Sequence, residues 1–201
     1  MVEEQLVARG VADPRVIAAM TAVPRELFVP ENLRAHAHDD RPLPIGNDQT
    51  ISQPLMVALM TELAAPGPDE TVLEIGAGSG YQAAVLAHMC RHVYAIEIRE
   101  SLAAAARANL AAAGIDNVTV AARDGGYGWP EHAPFDAIVL SAATHTVPPR
   151  LREQLADGGR LVLPLGESEA QELTRVVRRG DKFEMTTYGA VRFVAFVGDF
   201  G

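Results

Sequence analysis

A single cysteine, Cys90, in 201 residues excludes an internal disulfide and any framework built on crosslinks. It closes an apolar helical pattern, so it reads as a small packing residue and not as a nucleophile. No apolar run approaches the eighteen or more residues of a membrane span. The first residues, Met1-Val2-Glu3-Glu4, supply neither a basic segment nor an apolar one for secretion, so the expected compartment is the cytoplasm. Basic residues are in deficit, 17 Lys and Arg against 26 Asp and Glu, and the net charge of -9 argues against a broad phosphate-backbone footprint or an anionic membrane surface. Neither nucleic acid nor membrane is an expected partner. The same field repels acidic ligands, so a bound carboxylate would need local donors to overcome a long-range repulsion that salt largely screens. Internal repeats and low-complexity tracts are also missing.

What is present is enough for one domain with a substantial core, since 48% of the residues are hydrophobic. Residues 1–66 read as a helical cap of short pieces: Gln5 to Arg9, Pro14 to Ala22 with Asp13 as its N-cap, a Pro-rich stretch through Gly46, and a helix from Gln53 to Ala64. After the break at Pro66-Gly67-Pro68 the pattern changes. Strands at 71–75, 92–97, 117–122, 135–140 and 159–165 alternate with helices at 79–90, 99–113 and 148–156, which predicts an α/β fold with a doubly wound, mostly parallel sheet. Glu172 to Arg179 and Lys182 to Val197, separated by Gly180-Asp181, add an antiparallel C-terminal hairpin and bring the sheet to seven strands.

The stretch that carries most chemistry is Val72-Leu73-Glu74-Ile75-Gly76-Ala77-Gly78-Ser79-Gly80, an apolar strand running into a glycine-rich turn. About twenty residues on comes Val93-Tyr94-Ala95-Ile96-Glu97. Glycines let the backbone approach a ligand closely, and an acidic residue ending the next strand can accept from both hydroxyls of a ribose. A pyrophosphate-binding fingerprint would read G-x-G-x-x-G, but here Tyr81 stands at its third glycine. The pattern therefore favours S-adenosylmethionine over a dinucleotide.

Ligands of open α/β sheets bind beyond the carboxyl ends of the strands, so the loop Arg123-Asp124-Gly125-Gly126 should also face the cofactor. Asp124 reads equally as an acceptor for the adenine amino group or as the start of an Asp-Gly turn. Ahead of the helix at 53–64, Gln49-Thr50-Ile51-Ser52-Gln53-Pro54 clusters hydroxyls and amides in a loop. Ser52 reads as an N-cap, as a hydrogen-bond donor to substrate, or as both; no G-x-S-x-G elbow or partnering base marks it as a nucleophile. His88 and His92 are four apart, but His-Met-Cys-Arg-His lacks the glutamate of the zinc motif, so no metal is expected. Trp129 reads as a packing residue at a loop end.

Together these residues closely resemble the protein L-isoaspartate O-methyltransferase family. The matching blocks are Val23-Pro24-Arg25-Glu26-x-Phe28-Val29, Leu43-Pro44-Ile45-Gly46, Gln49 to Pro54, Val72 to Gln82, Gly128-Trp129-Pro130, Ala133 to Asp136, Gly158 to Val162 and Val191 to Val194, collinear over nearly the whole chain. The resemblance implies a Rossmann-like class I methyltransferase, 1–201 forming one domain, that works as a cytosolic monomer. It would methylate the α-carboxylate of isoaspartyl residues in damaged proteins with S-adenosylmethionine, releasing S-adenosylhomocysteine. Ser52 would be the active-site residue. Glu74, Gly76, Ala77, Gly78, Ser79, Gly80, Glu97, Ile98, Asp124, Gly125 and Gln53 would bind the cofactor, and Thr50, Ile51, Ser52, Val191, Arg192 and Phe193 the substrate. Substrate could add as a strand along Val191 to Val194. The sequence departs from the family pattern at Asn47-Asp48, at Ala122-Arg123 and at Ser141 to His145, and the first and last of these bear on substrate preference more than on cofactor binding. Related enzymes that methylate an ordinary aspartate of one precursor peptide, leaving an aspartimide, are the alternative.

Overall fold

The computed structural model describes residues 1–167 and 170–199. Asp13 starts α1 (Pro14–Ala22) as the sequence suggests, its carboxylate accepting the Arg15 N–H at 2.8 Å and proline filling the first helical position. Ahead of it, Val2–Leu6 and Val7–Arg9 form a π turn and a 3-10 turn that end at left-handed Gly10, so the expected Gln5 to Arg9 helix is two short pieces. A hairpin of β1 (Leu43–Gly46) and β2 (Gln49–Ile51) turns at Asn47 and Asp48. Both turn residues have positive φ, 51° and 57°, a geometry Asn and Asp accept better than most residues. α2 (Pro54–Ala64) follows. Pro54 is its first residue, which leaves Gln53 at the capping position and displaces Ser52 from that role.

The seven strands that follow form one sheet. β3 (Thr71–Ile75) lies at its centre, every residue buried, as expected for a parallel strand covered on both faces. β4 (His92–Glu97) and β5 (Val118–Ala122) lie to one side; β6 (Phe135–Leu140), β7 (Leu155–Glu167), β8 (Ala170–Arg179) and β9 (Lys182–Val191) lie to the other. The order is β5-β4-β3-β6-β7-β8-β9, parallel from β5 to β7 and antiparallel thereafter. The chain reverses direction of travel across the sheet at β3 and β6, so their carboxyl ends frame the crevice where such sheets bind ligands.

Several boundaries differ from expectation for local reasons. α3 begins at Tyr81, not 79, because Gly78 and Gly80 both have positive φ and belong to the turn. It ends at Ala87. α4 (Glu100–Ala112) buries Leu102, Ala103, Ala106 and Leu110 along one face, and Ala106 lies so near Gly80 that a Cβ there would sit 3.3 Å from the alanine methyl. α5 is only Pro149–Glu153, since Leu155 already pairs with Phe135. β9 stops at Val191, where the chain leaves the sheet: Phe193 binds the Gln171 side chain through its N–H and its carbonyl, at 2.7 and 3.1 Å. A continuous edge strand over Val191 to Val194 is therefore absent.

Cap and sheet share their interior. Leu6, Val16, Met20, Phe28 and Leu43 pack in one cluster with Tyr81 and Val85 of α3 and Leu110 of α4. Arg160 on β7 ties the end of α2 to this assembly, donating to the carbonyls of Ala64 and Ala65 at 2.9 and 2.8 Å and gripping Glu70 with two bonds of 3.0 and 2.6 Å. Arg160 holds the Glu70 carboxyl below its usual range. A lowered folded-state value means the pair stabilises above the carboxyl's unfolded pKa, and this contribution is lost as pH falls through the folded value. Arg160→Ala should therefore cost about 2–4 kcal/mol in urea denaturation at neutral pH, because it strands two helix-end carbonyls and a carboxylate. The deficit should shrink on acidification; a cost below about 1 kcal/mol would show that the bonds are replaced by water.

Candidate active site

The cleft opens above the ends of β3, β4 and β6. Its floor is the turn Gly76 to Ser79, held by two amides, Gly76 and Ala77, that both donate to the Ile96 carbonyl at 2.8 and 3.0 Å. Glu97, at the end of β4, accepts the Gly78 N–H on Oε2 at 2.9 Å and the Arg99 N–H on Oε1 at 3.0 Å. One carboxylate thus fixes the turn after β3 and the loop after β4. Each oxygen keeps a further acceptor site, and the side chain lines the cleft. Ile98, Arg99 and Gly125 continue this wall; Ser141 and Ala142 after β6 form the opposite one. A Cβ on Gly125 would collide with Ile75 Cγ2, so only glycine lets this loop approach the end of β3.

Glu74 is the anomaly of the central strand. It is fully buried, neither oxygen has a hydrogen-bond partner, and it lines the cleft. Burial, with the Glu97 charge adding to it, pushes its carboxyl well above the usual range. Two orphaned acceptors facing a cavity call for a ligand that brings donors or positive charge. A ligand with an ammonium or sulfonium group would meet that demand, and the free acceptor positions of Glu97 suit a ligand that carries hydroxyls.

Beside this cleft lies a second, more open cavity. Arg9, Pro42, Gln53, Met56 and the segment Ala190 to Val194 line it, and it shares Thr50, Ser52, Ser141 and Val194 with the first. Three hydroxyls therefore stand where the two spaces meet. The charged residues on the second cavity's wall are Arg9 and Arg192, both cationic. The chain from Val194 to Val197 roofs the first cleft, pinned by paired backbone bonds of 2.8 Å between Ala143 and residues Val194 and Phe196. Beyond it, Asp199 accepts the Tyr127 hydroxyl and donates its N–H to Asp124.

Most of the expected site residues converge. Ser52, Thr50 and Ile51 line the first cleft with Glu74, Gly76, Ala77, Gly78, Ser79, Glu97, Ile98 and Gly125, while Val191, Arg192 and Phe193 line the second cavity with Ser52 and Thr50. Three lie elsewhere. Gly80 packs on Ala106 behind the turn. Gln53 faces the second cavity, its amide donating to Asp40 Oδ1 at 2.6 Å. Asp124 is not on the cleft wall: its carboxylate accepts the Gly126 and Asp199 amides at 2.8 and 3.0 Å, one on each oxygen, in turn-forming geometry, and Gly125 lines the cleft. Cys90 is buried with its thiol pushed up to about 12, and Trp129 packs edge-on against Tyr94, both structural placements. Tyr81, Gln82 and the roof from Ala195 to Val197 are cleft residues to which the sequence assigns no binding role, and Ser141, legible only as a departure from the family pattern, lines the cleft with them. Tyr81 and Gln82 follow the glycine turn directly; the roof carries no local signal, because only the tertiary path of the chain brings it there.

The family model described as protein-L-isoaspartate(D-aspartate) O-methyltransferase matches residues 1–200. A protein-L-isoaspartate O-methyltransferase of Methanospirillum hungatei is 53% identical over 201 residues, spanning all of this chain and 93% of its own length. One from Methylorubrum extorquens is 54% identical over 202 residues, spanning all of this chain and 88% of its own. Among solved structures, a protein-L-isoaspartate O-methyltransferase superimposes with a TM-score of 0.88 at 29% identity, covering all of this chain and 67% of that one. A Plasmodium falciparum protein described as belonging to the same enzyme class, in complex with S-adenosyl-L-homocysteine, gives 0.85 at 25% identity, covering 98% and 96%.

The buried Glu74 yields a test without substrate. A carboxyl whose folded pKa is raised stabilises least above its unfolded pKa, because folding must then bury a charge or take up a proton. Glu74→Gln should accordingly melt higher than the parent in the ligand-free protein at pH 8, with the gap closing toward pH 5. An equal or lower melting temperature at pH 8 would mean that the carboxylate is compensated after all.

Proposed function

We infer the reaction from the family to which this chain belongs, the protein-L-isoaspartate(D-aspartate) O-methyltransferases. The chain is an S-adenosylmethionine-dependent enzyme that methylates the α-carboxylate of L-isoaspartyl residues in proteins, and the resulting ester collapses to a succinimide. The observation that carries the assignment of roles is the junction at Thr50, Ser52 and Ser141, where a cleft suited to an adenosyl ligand meets an open, cation-lined cavity suited to a polypeptide carboxylate.

When bound, S-adenosylmethionine supplies an electrophilic methyl group on a sulfonium. The substrate carboxyl, with an ordinary pKa of about 4, is ionised at neutral pH, so no side chain has to act as a base. The protein's task is alignment, which can supply on the order of 7–11 kcal/mol. Glu74 would hold the positive end of the cofactor, and Glu97, already fixed by two amides, would accept from the ribose hydroxyls. Gly76, Gly78 and Gly125 keep the walls bare enough for close approach. Ser52 donates its hydroxyl to the carboxylate. Its carbonyl is anchored by Arg25 at 2.8 Å, which restricts where that hydroxyl can point. Thr50 and Ser141 stand beside it, and the Val194 to Val197 roof excludes water, which strengthens each of these contacts.

With Phe193 occupied by Gln171, substrate main chain can pair along β9 only as far as Val191, and Arg192 then projects at the cavity rim. No helix among the described residues is long and apolar enough to cross a membrane.

Methyl transfer from labelled S-adenosylmethionine to two peptides differing only in isoaspartate against aspartate tests the reading. Label in the isoaspartyl peptide alone is expected; label in the aspartyl peptide alone would overturn it. Ser52→Ala should lower turnover by about 10- to 100-fold, the loss of one hydrogen bond to a charged group, while leaving S-adenosylhomocysteine affinity within about twofold. A parallel loss of cofactor affinity would contradict that division of labour.

A further inference from the structure

Arg25 is a fully buried arginine without a counter-ion. It shows 0% exposure, and no carboxylate pairs with it among the described residues. Its Nε donates to the Ala37 carbonyl at 2.7 Å and its Nη2 to the Ser52 carbonyl at 2.8 Å, while its guanidinium carbon lies 4.6 Å from the centre of the Tyr81 ring. Nη1 is buried and has no acceptor. Removing a cation from water is costly, and a neutral side chain would serve better if tying two carbonyls were the only purpose. Burial does pull its pKa down, but guanidinium starts so high that it stays charged at neutral pH.

Where that charge sits is informative. Two of its contacts, Ser52 and Tyr81, are walls of the cofactor cleft, and Ser52 is also a wall of the second cavity. The acidic side chains of the cleft, Glu74 and Glu97, would repel an arriving carboxylate, as would the net charge of -9. Arg9 at the rim is exposed and bonded to Asp40 at 2.7 Å, so solvent and a partner both weaken its field. A buried charge whose partners are neutral, as those of Arg25 are, is weakened less, because its field runs through a medium of lower dielectric than water and no opposite charge cancels it.

We propose that Arg25 is the electrostatic positioning residue for substrate: it fixes the main chain at Ser52 and its uncompensated positive charge draws the isoaspartyl α-carboxylate to that point, the bound carboxylate being its missing counter-ion. This rests on the methyltransferase reading above. It assigns the selectivity for an anionic group to a residue that does not itself touch the substrate, and it leaves the Ser52 hydroxyl to set direction.

The test compares equilibrium affinities of the S-adenosylhomocysteine-loaded enzyme for two β-linked peptides, one with the free α-carboxylate and one with that group as a carboxamide. In the parent the acid should bind at least about tenfold tighter, the worth of opposite unit charges about 12 Å apart at an effective dielectric of about 20. Arg25→Gln should bring the ratio to within about threefold of unity by weakening the acid far more than the amide, the amide losing only what the freed Ser52 main chain costs both peptides. Arg25→Lys should retain most of the preference. A purely structural arginine predicts the opposite pattern, both peptides weakened equally and the ratio kept, and that outcome would overturn the proposal. If Arg25→Gln fails to fold, Arg25→Lys decides: a folded lysine variant that loses the preference rules out charge as the cause, whereas one that keeps it supports charge. Failure of the parent to methylate the isoaspartyl peptide would instead be a failure of the functional reading.

Discussion

The cleft depends on one carboxylate. Glu97 takes the Gly78 amide on one oxygen and the Arg99 amide on the other, so the glycine turn after β3 and the loop after β4 cannot move independently. Hydrogen bonds to a charged acceptor are stronger than neutral ones, and these are nearly dry, since Glu97 is only 5% exposed. The turn they hold is otherwise weakly determined: three of its residues are glycines with positive φ, which gain flexibility from the missing side chain. A segment this permissive needs an external clasp if it is to present a fixed surface. We regard the shaping of the turn and the acceptance of the ribose as two uses of the same side chain.

Around that clasp the enclosure is built from opposite ends of the chain. The hairpin of β1 and β2 delivers Thr50, Ile51 and Ser52 from the N-terminal cap, and the segment after β9 delivers Val194 to Val197. Each has its own anchor: Arg25 of the cap and the shared core for the first, Ala143 after β6 and Gln171 on β8 for the second. Arg160 performs the corresponding task beneath α2, where left-handed Ala65 ends the helix. The result is a division of polarity in which the carboxylates of Glu74 and Glu97 line the first cleft, while Arg25 lies behind Ser52 and Arg9 and Arg192 line the second cavity.

Much of this organisation is legible in the amino-acid sequence. The glycine turn, the strand that precedes it and Glu97 are local signals, because apolar runs and glycine spacing encode backbone geometry directly; the five parallel strands lie where their apolar runs place them for the same reason. Asp13 is legible as a cap because its carboxylate and Pro14 act within two residues. Ser52 as a cap is not, since Pro54 fixes the helix start one residue later than the serine suggests. Asp124 shows a limit of another kind: an Asp-Gly pair has the same sequence whether its carboxylate meets a ligand or its own turn, and only the structure shows the Gly126 and Asp199 amides bonded to it. The C-terminal roof and Arg25 are invisible as site features in the sequence because their roles come from contacts across more than a dozen residues, such as Ala143 with Val194 or Arg25 with Ser52.

The most direct test of this account is the affinity of Glu97→Gln for S-adenosylhomocysteine, measured by calorimetry alongside a circular dichroism spectrum. Glutamine keeps the size but loses the charge and one of the two acceptors that hold the loops. The account predicts a folded protein whose affinity falls at least about tenfold, the worth of one hydrogen bond to a charged acceptor. A folded variant that binds within twofold of the parent would show that the turn holds its shape without the clasp and that the cleft's organisation lies elsewhere.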